Sequence, residues 1–141
     1  MIHIVGAGPG DPELITVKGA RYLAEADVVI YAGSLVNPAL LDFCKEEAEI
    51  HNSAHMTLDE VIEVIARAET AGKMTVRLHT GDPAIYGAIQ EQMDAWEKRG
   101  FDYDVVPGVS SFLGTAAALR QEYTLPGISQ TVIITRNEGR T

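Results

Sequence analysis

A chain of 141 residues, 46% hydrophobic and 22% charged, has room for one domain with a real core and the composition of an ordinary globular protein. Its formal charge of −9 argues against nonspecific binding to nucleic acid or to an anionic membrane, and neither a membrane-length apolar run nor a basic-then-apolar leader is seen. The single cysteine, Cys44, excludes an internal disulfide and fits a reducing cytoplasm.

In chain order, the first apolar run, Ile2-His3-Ile4-Val5, breaks into Gly6-Ala7-Gly8-Pro9-Gly10-Asp11-Pro12. Short β-branched runs at 2–5, 28–31, 74–79, 103–106 and 131–135 read as strands of a covered parallel sheet. Between the second and third, Glu46, Glu47 and Glu49 form an exposed acidic face. His51 and His55 stand four apart, but Asn52-Ser53 argue against a helix there. With only Cys44 upstream, no convergent zinc set forms, and no metal is expected. Thr57-Leu58-Asp59-Glu60 is a capping box, followed by an apolar face of Val61, Ile62, Val64, Ile65 and Ala68, with Gly72 beyond the end.

The run at 74–79 breaks into Thr80-Gly81-Asp82-Pro83-Ala84-Ile85-Tyr86-Gly87. Ile85, Ile89, Met93 and Trp96 then repeat at helical spacing before Gly100. After the strand at 103–106, residues 110–119 are small and alanine-rich, a helix able to pack closely. Ser110-Ser111 lack the G-x-S-x-G elbow of a nucleophile. The run at 131–135 reads as a buried strand, and the polar Arg136-Asn137-Glu138-Gly139-Arg140-Thr141 reads as a linker cut short. We therefore expect an α/β domain over 1–135 and the start of a linker to a second domain at 136–141.

This alternation predicts an α/β fold: a mostly parallel five-stranded sheet, helices on both faces, and right-handed crossovers. Its two Gly-Asp-Pro loops fall at carboxyl ends of strands, where such sheets bind ligands. The first loop fails the dinucleotide fingerprint, because Asp11 stands at the third glycine position and Pro9 and Pro12 each remove a donor. Asp82 biases the second loop the same way. A carboxylate at a helix start repels phosphate, so both loops suit a neutral or cationic ligand; that both aspartates merely cap helices is the plainer alternative.

The segments Val5-Gly6-Ala7-Gly8-Pro9-Gly10-Asp11-Pro12, Tyr31-Ala32-Gly33-Ser34-Leu35-Val36, Met56-Thr57-Leu58-Asp59-Glu60, His79 through Gly87 and Val106-Pro107-Gly108-Val109-Ser110-Ser111 resemble the tetrapyrrole methylases, end to end and in matching order. Tyr-Ala-Gly-Ser-Leu-Val, Gly-Asp-Pro-Ala-Ile-Tyr-Gly and the closing Thr-Arg-Asn-Glu-Gly-Arg-Thr sharpen the likeness to members acting on precorrin-4 or cobalt-precorrin-4. The resemblance implies methyl transfer from S-adenosyl-L-methionine to ring carbon 11 of that precursor, in cobalamin (vitamin B12) biosynthesis. It also implies a donor site between two domains, a homodimer in the full-length protein, and no metal beyond any carried in the substrate. Methylation of another ring position, or a non-catalytic ligand-binding module, stays open.

Carried over by motif, the resemblance implies that Pro9 lines the donor site. Thr80, Gly81 and Asp82, with Ile85 just beyond, form the loop on which the donor rests, and Ser110 and Ser111 add contacts. Some relatives that methylate uroporphyrinogen have an acidic residue where this chain has Ala32, so no catalytic base is assigned. For the carboxylate-rich tetrapyrrole, Ser34, Met56, Arg77 and His79 are the candidate contacts. Arg77 and His79 alternate on the strand entering the second loop, and one pairing in the sheet while the other caps its end is the competing reading.

Overall fold

The apolar runs become strands because β-branched side chains suit a sheet buried on both faces. The computed structural model describes residues 1–137, which fall into two units, Met1–Ser111 and Phe112 onward. The first holds five strands, β1 Ile2–Gly6, β2 Val28–Tyr31, β3 Glu49–Asn52, β4 Thr75–His79 and β5 Tyr103–Val106. All pairings are parallel, in the order β3-β2-β4-β1-β5.

Both faces are covered, as expected. On one, Val5, Val29, Val76 and Leu78 meet Leu23 and Ala26 beside α1 (Val17–Glu25) and Leu40 of a 3-10 segment, Pro38–Phe43. On the other, Ile2, Ile4, Val28 and Ile30 meet Val61, Ile65 and Ala68 of α2 (Leu58–Thr70) and Trp96 of α3 (Gln90–Lys98). Each such large apolar side chain, fully buried, contributes roughly 1.5–3 kcal/mol. The capping box forms in full: Glu60 N–H donates to Thr57 Oγ1 at 3.2 Å, and Thr57 N–H donates to Glu60 Oε2 at 2.7 Å. Two orphan donors of α2 are thereby satisfied.

The crossovers position the loops that carry the candidate residues. From β1 the chain passes through α1 to β2, and from β4 through α3 to β5, on opposite faces of the sheet. β1 and β4 are neighbours whose connections leave in opposite directions. That is a topological switch point, the position at which open α/β sheets bind ligands.

Two sequence expectations need correction. The fifth strand is Glu49–Asn52, not 131–135. A segment is a strand only where a neighbour supplies ladder hydrogen bonds, and among the described residues none does so for 131–135, whose Val132, Ile133 and Ile134 stand exposed. Ile85 does not belong to the following helix, since α3 starts at Gln90 and Tyr86 and Ala88 hold positive φ, which a right-handed helix excludes. Residues 138–141 of the expected linker lie outside the described residues. In the second unit, α4 runs over Ser111–Leu119, the Tyr123 hydroxyl donates to Phe112 O at 2.5 Å, and Leu125 N–H donates to Ser129 O at 2.8 Å.

Candidate functional site

Three loops converge at the switch point. They follow β1 (Gly6–Asp11), β4 (Thr80–Gly87) and β5 (Pro107–Ser110). The first two are stitched as a small antiparallel bridge: Gly81 N–H donates to Gly8 O at 2.8 Å, and Gly8 N–H donates to Gly81 O at 3.2 Å. Ala7 N–H adds a bond to His79 O at 2.6 Å. The third loop touches them through bare main chain. A Cβ on Gly108 would lie 2.2 Å from Gly81 O and 2.9 Å from Gly6 Cα, and one on Gly6 would lie 2.6 Å from Gly108 N. Only glycine permits this approach.

Asp82 fastens the junction. Its Oδ1 accepts from Ala84 N–H at 2.8 Å and its Oδ2 from Gly108 N–H at 2.9 Å, so one carboxylate closes its own turn and holds the loop after β5. Asp11 accepts from Glu13 N–H at 2.9 Å and caps the 3-10 turn Pro12–Leu14, with proline at its first position. The cap reading thus holds for Asp11, while Asp82 closes a turn and caps no helix. Both carboxylates are turned onto backbone donors.

The loop after β2 joins the same edge. Thr80 Oγ1 donates to Leu35 O at 3.0 Å, and Asn37 Nδ2 donates to Gly10 O at 2.8 Å. These ties were not legible in the motifs; asparagine before Pro38 signals a turn, but not its partner.

Most of the expected donor contacts come together. Pro9 lies between Gly8 and Gly10, half-buried. A Cβ on Gly81 would rest 3.6 Å from Ser110 Cα and 3.7 Å from Ser111 N, which places Thr80, Gly81, Asp82, Ser110 and Ser111 at one spot. Ile85 stands exposed on the turn beyond. Ser34 sits in the 3-10 turn Gly33–Leu35, exposed, one residue from the Leu35 carbonyl that Thr80 holds.

The remaining candidates lie elsewhere. Met56 packs against the α2–α3 side of the core and lines a hollow with His51, His55 and Asp59. Arg77 is in register with Ile4 and Ile30 and shares their face of the sheet. It is 7% exposed, and its guanidinium donates to Gln92 Oε1 at 3.1 Å and Ile30 O at 3.2 Å. Burial pushes its pKa down to about 10. His79, on the same face by strand alternation, is 5% exposed, and its Nε2 has no hydrogen-bond partner in the described structure. Burial, reinforced by the Arg77 charge, lowers its pKa to about 3, so its imidazole is neutral at physiological pH.

No helix among the described residues is long and apolar enough to cross a membrane. The geometry offers a ligand close access to main chain at glycine-rich loops and apolar surface from Pro9 and Ile85, with Asp11 where the glycine pattern of a pyrophosphate site needs its third glycine.

Comparison with known proteins gives this geometry a family. The profile of the Tetrapyrrole (Corrin/Porphyrin) Methylases matches residues 1–141. A cobalt-precorrin-4 C(11)-methyltransferase of Methanocaldococcus jannaschii is 62% identical over 140 residues, covering 99% of this chain and 54% of that protein. The X-ray structure of a cobalt precorrin-4 methyltransferase superposes with a TM-score of 0.95 at 52% identity, over 99% of this chain and 58% of the other. A uroporphyrin-III C-methyltransferase from Thermus thermophilus, complexed with S-adenosyl homocysteine, superposes with a TM-score of 0.76 at 35% identity, over 92% of this chain and 52% of the other. The chain spans about half the length of the curated relatives it matches.

Proposed function

The chain belongs to the tetrapyrrole methylases, and from that premise we propose that the protein transfers a methyl group from S-adenosyl-L-methionine to ring carbon 11 of precorrin-4 or cobalt-precorrin-4, a step of cobalamin biosynthesis. The observation that carries this reading is the three-loop glycine junction at the switch point, in a chain 62% identical to an enzyme of that name. Pro9, Thr80, Gly81, Asp82, Ile85, Ser110 and Ser111 form the donor side. Segments corresponding to the other half of the relatives complete the pocket. The full-length protein is a cytoplasmic homodimer.

When bound, the donor supplies an activated methyl group on a sulfonium. What this chain contributes is position. The bridge between Gly8 and Gly81 and the Asp82 latch hold three loops in one fixed arrangement. Loops held in this way would orient a bound donor toward the acceptor, and orientation of that kind can supply several kcal/mol of the barrier. Pro9 and Ile85 provide apolar surface for the adenosyl group. Ser34 lies on the acceptor side, following β2. Arg77, bonded to Gln92 and Ile30 O, supports the sheet beneath this edge.

The test is a mass-spectrometric assay of the full-length protein with donor and precorrin-4 or its cobalt form, with the ring position read by carbon-13 NMR. Gain of one methyl at carbon 11 is expected. Methylation at another carbon moves the assignment within the family, and inertness on every corrin precursor removes it. Calorimetry adds a second arm: S-adenosyl-L-methionine binds and NAD does not, whereas a dinucleotide-binding module gives the reverse.

A further inference from the structure

Gln92 is 5% exposed, and both ends of its amide are taken. Its Oε1 accepts from Arg77 Nε at 3.1 Å, and its Nε2 donates to Ala88 O at 3.2 Å. A guanidinium only donates and a carbonyl only accepts, so these partners fix which way the amide faces. Gln92 is the third residue of α3, after Ile89 as cap. There a glutamine ordinarily reaches back to accept from the cap N–H. Here its oxygen is turned onto Arg77 and its nitrogen onto a carbonyl that lies before the first helical bond, Met93 N–H to Ile89 O at 2.9 Å. The side chain ties down loop, not helix.

The residue it holds, Ala88, has left-handed backbone at φ +50°, a conformation that a Cβ disfavours. Just before it the chain closes on itself, since a Cβ on Gly87 would lie 2.1 Å from Pro83 O. The loop after β4 is thus fixed at its entry by Asp82, bonded to Ala84 and Gly108, and at its exit by Gln92. Asp82 and Ile85, of the donor side, lie within that span. Arg77 holds Gln92 in turn. Its buried guanidinium meets Gln92 Oε1 and Ile30 O, not a carboxylate, in register with Ile4 and Ile30, where an apolar side chain would cost less. The geometry it imposes on Gln92 accounts for keeping so costly a charge inside.

We propose that Gln92, oriented by Arg77, is a positioning residue for the methyl donor: by holding Ala88 O it presets the loop after β4, and so governs donor affinity without touching the donor. The proposal rests on the methyltransferase reading. A loop already in its binding form gives up less freedom when the ligand arrives, which is how a bond remote from a ligand strengthens its binding.

The experiment compares full-length parent protein with Gln92→Glu and Gln92→Met. Glutamate keeps the shape and, ionised beside Arg77, the bond to it, but has no N–H for Ala88 O. Methionine is of similar length and makes neither bond. Affinity for S-adenosyl-L-methionine and S-adenosyl homocysteine is measured by calorimetry, and folding by thermal melting. We expect Gln92→Glu to bind both compounds roughly tenfold more weakly while melting within a few degrees of the parent. Gln92→Met should lose as much affinity or more. If Gln92 serves only to satisfy Arg77, Gln92→Glu binds as the parent does and Gln92→Met alone is impaired. Parental affinity in Gln92→Glu, or losses in both variants that merely follow their melting temperatures, overturns the proposal while leaving the methyltransferase reading intact. A parent that binds neither compound removes both.

Discussion

Replacing Asp82 by alanine removes two hydrogen bonds, one closing its own turn and one holding the loop after β5. The Ala84 N–H is exposed and regains water, so its share of the loss is small. The Gly108 N–H is partly buried and loses a charged acceptor at 2.9 Å, a kind of bond worth about 1.5–3 kcal/mol. Together they predict a cost of about 2–3 kcal/mol for Asp82→Ala. Asp82→Asn keeps one acceptor oxygen and turns an amide N–H toward the other donor, so about 1–2 kcal/mol is expected. Urea unfolding at unchanged slope measures both. The ligand readout is more discriminating. If Asp82 acts by holding the loops, S-adenosyl-L-methionine and S-adenosyl homocysteine both weaken by one factor, on the order of tenfold. If its carboxylate pairs with the sulfonium, only the methylated compound suffers. Unchanged stability in Asp82→Ala, or a loss confined to the charged donor, refutes the latch.

Gly108→Ala places a Cβ 2.2 Å from Gly81 O, a main-chain atom that cannot swing aside. Overpacking of this kind costs about 3 kcal/mol or more and should abolish donor binding by calorimetry. Gly72→Ala is its control: nothing lies within 4 Å, only φ +68° opposes it, and the loss should be about 1–2 kcal/mol with binding intact. His79 makes stability depend on acid. Its folded pKa, about 3, lies below the ordinary imidazole value of 6.5, so the unfolded chain takes up the extra proton. Stability is therefore lost as pH falls from about 6.5 toward 3, by up to about 1.4 kcal/mol per pH unit. His79→Gln should flatten that acid limb in urea titrations, and NMR should show the parent imidazole silent above pH 4. An His79 resonance that titrates near 6.5 contradicts this.

Strands buried on both faces declared themselves by apolar β-branched runs, and α2 by its capping box. What failed was whatever depended on neighbours. Glu49-Ile50-His51-Asn52 is a strand because β2 offers it an edge, and as an edge strand it tolerates polar, exposed side chains. Residues 131–135 have the composition of a strand without a partner among the described residues. Ile85 had helical spacing, yet the closed turn at Pro83–Gly87 overrode the period. At the site, the motifs picked out loops that the structure brings together, and the cap reading anticipated that Asp11 faces a backbone N–H group, while the bond from Gly108 N–H to Asp82 was not legible. Arg77 and His79 were visible as polar residues in a strand. That they lie buried on the α2–α3 face follows from register, which only the pairing of β4 with β1 and β2 fixes.

The strand order carries a cost during synthesis. β1 is made before the other four strands of its sheet, yet its two partners, β4 and β5, begin at Thr75 and Tyr103. Until they emerge, the Ile2-His3-Ile4-Val5 run stays unpaired, and such nonlocal pairing is slow and prone to aggregation. The nascent chain must shelter this apolar run through nearly the whole of the first unit, and the three loops of the glycine junction come together only after β5 is made.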